Sequence, residues 1–395
     1  MNLFRLAVAN LKEHLLTTFL SVMLLAIGVG MVSFIVTVSE QLNDRFNRDI
    51  RGIDMVVGAK GSPLQLILSA VYQIDNPTGN ISVSESMKIR KHPLVKYSIP
   101  LSYGDSYRGF RIVGTDTMYL NHFKAQFASG KPWKKSMDVV LGSEAATRLN
   151  MGVGAHFHGT HGFEEEGHAH DEVHYNVVGV LEETGAVIDR LILTPTESVW
   201  YIHHHEEQGH EKEAEQEITA LLVKFKSPMG LMQLPRFINE KTSMQAALPA
   251  IEINRLYDLM GVGFSTLQAI GVLMMLIAAI SVFVSLLNSL KERKQELALM
   301  RVLGASPIKL FGLVVLESLL LCLVGYALGI ILGRTAMMAL SSFGEQQFKF
   351  GIEQSGLVSI ELWLLPLTLC IGFVAAALPA IRAYRSNISA VLRDD

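Results

Sequence analysis

The chain has 395 residues, half of them hydrophobic, with a formal net charge of −3 and two cysteines. Charged residues are only 18% of it, below the roughly 25% of ordinary soluble proteins, and mean hydropathy is positive. The near-neutral balance argues against a nucleic-acid partner. Cys322 and Cys370 both lie in apolar runs, so the polar middle carries no disulfide framework.

Leu3, Phe4, Leu6, Ala7, Val8 and Leu11 share a helical face opposite Arg5 and Lys12, the pattern of a short helix lying against membrane lipid. The apolar run Leu15–Val38 is longer than the roughly 7–15 residues of a signal-peptide core and has no small-residue cleavage pattern, so it reads as a retained span. Phe264–Leu290, Ile308–Gly333 and Ile360–Ile381 are three more such runs. Each of the four is near or above the roughly 20 apolar residues that cross a bilayer as a helix. Basic residues fix the orientation. Arg5 and Lys12 precede span 1. Lys291, Arg293, Lys294, Arg301 and Lys309 link spans 2 and 3, and Arg382, Arg385 and Arg393 follow span 4. The link between spans 3 and 4 has only Arg334 and Lys349. Both ends are therefore expected in the cytoplasm. The expected fold is four transmembrane α-helices plus an α+β extracytoplasmic domain between spans 1 and 2, divided as 1–38, 39–259 and 260–395.

The outer region alternates β-branched runs with turns. Strands are expected around Ile53–Gly58, Ile112–Gly114, Val139–Gly142, Val177–Val180 and Leu191–Leu193, and a helix at Ser143–Leu149. Leu231–Ala247 and Ile251–Leu259 read as helices. Ten of the 13 histidines fall in two tracts. The first holds His156, His158, His161, His168, His170 and His174, and the second His203, His204, His205 and His210. Glutamates and aspartates are interleaved with them. Imidazoles with carboxylates suit zinc, copper(II) or nickel, zinc first, and the lack of a Cys or Met cluster argues against copper(I). Gly159, Gly162, Gly167 and Gly209 make both tracts, 156–174 and 203–210, read as loops with adaptable sites. A solvated polar insert without a ligand is the alternative. No catalytic H-E-x-x-H occurs.

The third span carries Glu317, an intramembrane acid that costs at least ~2.5–3.5 kcal/mol at mid-bilayer unless paired or protonated. It reads as a relay or dimer-interface residue or, preferably, as a packing hydrogen bond to a neighbouring Ser or Thr. The link 291–307 is rich in charge and helix formers and stops at Gly304, with Pro307 just beyond. Leu297, Met300 and Leu303 form an apolar stripe on it. Such a helix suits docking in a groove of a soluble partner, or serves only as a basic topology anchor. No G-x-x-x-x-G-K-[ST] occurs in the chain; Gly58-Ala-Lys-Gly61-Ser lacks its spacing.

Within that link Arg293-Lys-Gln-Glu296-Leu-Ala-Leu-Met-Arg301-Val-Leu-Gly304-Ala-Ser306 resembles the loop of MacB/FtsX-type permeases, the mechanotransmission class of ABC transporters. Glu317 with Gly325 and Gly329 in the third span is similar to the family's third helix. The tail Pro379-Ala-Ile-Arg382-Ala-Tyr-Arg385 onward resembles its ending, departing from it at Asn387-Ile388 and Val391. The resemblance implies a non-enzymatic permease subunit in a bacterial inner membrane, with its large domain in the periplasm. It implies a homodimer and a separate ABC ATPase that meets Glu296, Arg301 and Gly304. Thr184-Gly-Ala-Val-Ile-Asp189-Arg190 to Trp200-Tyr-Ile-His203, Val56–Leu66 and Ile74–Asn80 resemble a subgroup linked to zinc homeostasis. That makes zinc the expected metal and a periplasmic metal-binding protein a candidate partner. Efflux, lipoprotein release, or a signal relay to a cell-wall hydrolase are the other roles open to this fold. Asp189 and Arg190 read equally as a structural ion pair.

Overall fold

The computed structural model describes residues 3–13, 15–161, 174–206, 216–348 and 359–385. They fall into two units: Met1–Asn43 with Leu259–Asp395, and Asp44–Asp258. The amphipathic start forms helix α1 (Leu3–Glu13). Helix α2 (Leu15–Asp49) contains the first apolar run and continues 11 residues beyond Val38, with no proline to stop it.

The second unit is built on a mixed sheet. Strand β1 (Met55–Ala59) is wholly apolar or glycine. Ser62 then caps α3 (Pro63–Ala70), its hydroxyl accepting the Gln65 N–H at 3.4 Å, with proline at the first helical position where no N–H is needed. Strand β2 (Ile81–Ser82) and helix α4 (Val83–Arg90) follow. The long β3 (Val95–Tyr107) turns back through Arg108 and Gly109, both at positive φ, into β4 (Phe110–Thr115). Asp116 caps α5 (Thr117–His122), which precedes β5 (Phe127–Gly130), β6 (Asp138–Leu141) and α6 (Ser143–Leu149). Two short strands, β7 (His156–Phe157) and β8 (Thr160–His161), stand before β9 (Tyr175–Leu181). A 3-10 turn at Val187–Arg190 leads to β10 (Ile192–Pro195) and α7 (Thr196–Glu206). The unit closes with β11 (Glu217–Ile218), β12 (Ala220–Phe225), α8 (Met229–Lys241) and β13 (Met244–Ala247).

The strands order as β13-β1-β12-β3-β4-β10-β6-β9-β5, with β7 added on β9 and β8 on β3; β2 and β11 pair separately. β10 with β4 and β6 with β9 are parallel, the rest of the path antiparallel. One core gathers Met55, Val57, Leu221, Val223 and Phe225 under α4 and α8. The other gathers Ile112, Leu141, Tyr175, Val177 and Ile192 under α6 and Ile202 of α7. The expected helix at Leu231–Ala247 is corrected: it ends at Lys241, and β13 takes over. Met244, Ala246 and Ala247 are buried against β1, whose free edge would otherwise leave backbone groups unpaired.

Helix α9 (Pro249–Glu292) fuses the expected helix at 251–259 with the second span. The link contains α10 (Lys294–Val302), the third span is α11 (Pro307–Phe348) and the fourth is α12 (Ser359–Tyr384). Among the described residues four helices are thus long and apolar enough to cross a membrane. Helix α2 lies between α9 and α11 at backbone contact. A Cβ on Gly28 would come within 3.2 Å of the Gly271 carbonyl oxygen, and one on Gly30 within 2.8 Å of that of Gly329. Gly325, Gly329 and Gly333, four residues apart, form one face of α11 against Leu25, Val29, Gly30 and Ser33, a small-xxx-small packing stripe. Replacing Gly329 by Ala should cost ~1–3 kcal/mol through overpacking against Val29 and the Ala26 carbonyl. Gly312→Ala, where a Cβ meets nothing within 4 Å, should be neutral or stabilise by up to ~1 kcal/mol. Thermal unfolding of the two full-length variants in detergent checks both.

Candidate functional site

The link between spans 2 and 3 folds as expected into a helix, but its faces are distributed differently. Leu297 and Ala298 are buried; Leu297 packs with Leu310, Val314 and Ala380, and Met300 packs partly onto the same cluster. The stripe Leu297–Met300 therefore faces the bundle. The exposed apolar side chains are Leu299, Val302 and Leu303, the last 79% exposed. Glu296 and Gly304 are exposed and Arg301 is partly so. Gly304 has φ +90°. Its N–H reaches the Arg301 carbonyl and the Ala305 N–H the Met300 carbonyl, the paired bonds of a Schellman cap, which an L side chain at this φ would strain.

Glu317 lies in the first third of α11. Among the described residues neither Ser nor Thr is its hydrogen-bond partner, which corrects that expectation. It accepts from the Asn10 amide of α1 and lies 3.8 Å from the Arg293 guanidinium. Arg293 in turn donates to the Asn10 carbonyl at 2.9 Å and pairs with Glu13 at 2.8 Å. A carboxylate here satisfies itself with donors from α1 and the link, which lie outside its own span. A second polar group joins the far ends of the spans. Arg334 pairs with Glu361 at 2.8 Å, and Ser33 donates to the same carboxylate at 3.3 Å.

In the outer unit Asp189 and Arg190 do not form an ion pair with each other. The Asp189 carboxylate accepts the Thr184 N–H and hydroxyl and the Gly185 N–H, at 2.7–3.1 Å. It closes its own turn, because three local donors converge on it. Arg190 instead lies in the field of Glu144 and Asp49, and burial, followed by repulsion from Arg45, pushes its pKa down. Burial pushes the Glu144 carboxyl up, against Arg148 at 2.9 Å. The last turn of α2 meets this same turn: Asp49 accepts the Val187 N–H at 3.0 Å and Arg48 donates to the Gly185 carbonyl at 2.9 Å. The subgroup-like segments 56–66 and 74–80 also touch, Thr78 donating to the Ala59 carbonyl at 3.0 Å. Arg111, buried, donates to the Gln73 side chain and the Asp75 carbonyl and stacks on Tyr103.

Described parts of both histidine tracts belong to regular elements. His156 is in β7, where its ring meets the Asn176 side chain across to β9. His161 is in β8, paired with Asp105 of β3. The His158 and His174 rings lie 4.2 Å apart. His203, His204 and His205 belong to the end of α7, a helix held by Ile202 on the second core and Trp200 on the first. His168, His170 and His210 lie outside the described residues, as do Asn387, Ile388 and Val391 of the tail. Among the described residues no group of three or more His, Cys, Asp or Glu comes together as a metal site. One cleft, of about 640 Å³, went unnoticed in the sequence. Trp133, Trp200, Arg90, Asp116 and Glu197 line it, with Arg90 and Asp116 3.5 Å apart. Its residues come from six separated segments, and the local signal is Trp133 beside Lys134 and Lys135.

A four-span membrane protein with a mixed-sheet domain carried between spans 1 and 2 is the class this architecture defines. The family description "MacB-like periplasmic core domain" matches residues 18–231, more than half of the chain, and "FtsX-like permease C-terminal" matches 269–388. The chain belongs to the MacB/FtsX-like permease family. Among solved structures, the periplasmic region of MacB from Actinobacillus actinomycetemcomitans is 14% identical. The match covers 53% of this chain and 95% of that one, with a TM-score of 0.35. The extracellular domain of the noncanonic ABC-type transporter YknZ from Gram-positive bacteria is 13% identical, covering 49% and 98%, with a TM-score of 0.31. No curated protein sequence matches.

Asp189→Ala should lower stability by ~2–4 kcal/mol, since it strands the buried-turn donors of Thr184 and Gly185. Asp189→Asn, which keeps an acceptor, should lose less. Thermal unfolding of full-length variants reads the difference.

Proposed function

We propose that this chain is the permease subunit of an ABC transporter in a bacterial inner membrane. It works as a homodimer whose outer domains, in the periplasm, move when ATP is hydrolysed on a separate ATPase chain. The observation that carries this is the link helix α10. It presents Leu299, Val302 and Leu303 outward while its other apolar residues anchor it to the spans. An apolar helical face bordered by Glu296 and Arg301, ended sharply at Gly304, suits a groove on a soluble partner. Leu299→Ser with Leu303→Ser should reduce co-purification of the ATPase at least ~tenfold, as loss of a hydrophobic anchor pair does, without lowering the melting temperature. Undiminished co-purification rules out this face as the contact.

The cargo process we propose is zinc uptake or homeostasis, with zinc held by the histidine tracts and passed on by a periplasmic metal-binding protein. The support is the density of imidazoles and carboxylates at 156–174 and 203–210, and the adjacency of His158 and His174. Because His156 and His161 sit on sheet strands, the test is substitution rather than deletion. Replacing the ten histidines by Asn should leave the fold intact, abolish zinc binding in calorimetric titration of the full chain, and impair growth under chelation. Unchanged growth of that strain rejects the zinc role. The absence of a three-ligand cluster among the described residues favours a second reading, in which the outer domain drives efflux, lipoprotein release or a signal to a cell-wall hydrolase. A stable complex with such a partner and an ATPase rate indifferent to metal would select it.

A further inference from the structure

Arg293 stands between the end of α9 and the start of α10, at the N-cap position of the link helix. Its side chain is only 7% exposed and that of Glu317 6%. One guanidinium bonds the Asn10 carbonyl and the Glu13 carboxylate of α1, and faces Glu317 of α11, itself bonded to the Asn10 amide. Three elements distant in sequence thus meet at one fork of donors. A guanidinium can serve several acceptors from a fixed plane, whereas an ammonium is a point charge on a flexible stem. A buried cation is retained only where its partners surround it, so Arg293 holds α1 and α11 in place as the condition of its own burial. Leu11 of α1 packs on the same cluster as Leu297 of α10 and Leu310 and Val314 of α11, which gives the junction an apolar floor.

We propose that Arg293 is the positioning residue that fastens the N-terminal helix and the third span to the root of the link helix, so that α1 moves with α10 when an ATPase docks. The N-terminal helix is then a working part of the relay and not only a lipid anchor. This rests on the reading of α10 as the ATPase contact.

The test is hydrogen–deuterium exchange on the full chain in lipid nanodiscs, with and without its co-purified ATPase trapped by ATP and vanadate. Wild type, Arg293→Met, Arg293→Lys and Glu317→Gln are compared. In wild type, trapping should change exchange both at 294–302 and at 3–13. In Arg293→Met the response at 294–302 should persist and that at 3–13 vanish, with Arg293→Lys and Glu317→Gln in between. Persistence at 3–13 in Arg293→Met, or no response there in wild type while 294–302 responds, overturns the proposal. No response at 294–302 in wild type overturns the ATPase-contact reading instead. In that event, or if no ATPase co-purifies, the nucleotide-free comparison decides. Exchange at 3–13 should quicken at least ~tenfold in Arg293→Met, as for a helix released to local opening, and an unchanged rate overturns the fastening.

Discussion

In a bilayer, apolar side chains gain nothing by leaving lipid for one another, so spans associate through close backbone approach and through polar bonds. Helix α2 meets this constraint on two sides. Gly28 and Gly271 bring it against α9, and Gly30, Gly329 and Gly333 bring it against α11. The helix–helix contacts of Leu25, Val29 and Val32 with Met275, Ala278 and Cys322 follow from that approach. The polar bonds lie towards the ends of the same bundle: Asn10, Arg293 and Glu317 at one, Ser33, Arg334 and Glu361 at the other. Two further polar bonds among the described residues join Ser21 to Ser281 and Ser318 to the Gly372 carbonyl.

The outer domain solves a different problem, because water can satisfy its surface. Its sheet binds two cores into one path through the long β3, which pairs with β12 over one core and β4 over the other. The last turn of α2 is tied within this unit by the Arg48 and Asp49 side chains, which bond backbone groups of the Thr184–Arg190 turn. Asp189 keeps that turn in shape without using its charge on a cation, which leaves Arg190 to the acids around it. A buried carboxylate surrounded by N–H groups is a firm support, since each such bond to a charge is stronger than its neutral counterpart.

Much of this was legible in the sequence. The four spans followed from apolar length, and the strands at 112–114, 139–141, 177–180 and 191–193 from β-branched runs. The link helix and its stop at Gly304 followed from local chemistry. Partnerships did not follow. Glu317 finds Asn10 some 300 positions away, and nothing in the span hints at it. Met244–Ala247 reads as helix because its apolar residues are too few to reveal a period, yet the open edge of β1 turns it into a strand. The stripe Leu297–Met300–Leu303 has helical spacing, but spacing alone does not say which part of an apolar face the bundle covers. Histidine density is a matter of composition, whereas the placing of His156 and His161 on strands and of His203–His205 on a helix follows from pairing and packing that composition does not encode.

The cap at Gly304 limits how the link helix can bend. With the Met300 and Arg301 carbonyls already taken and Pro307 opening α11, helical winding cannot propagate from α10 into the third span. Residues 303–306 therefore form a compliant joint. At its other end α10 abuts α9 across Arg293 alone, whose N–H still bonds the Ser289 carbonyl. The element is a beam clamped at Arg293 and seated along one face by Leu297 and Met300. A push on its exposed tip at Leu303 is passed to the bundle through that face and the clamp, and does not twist the third span.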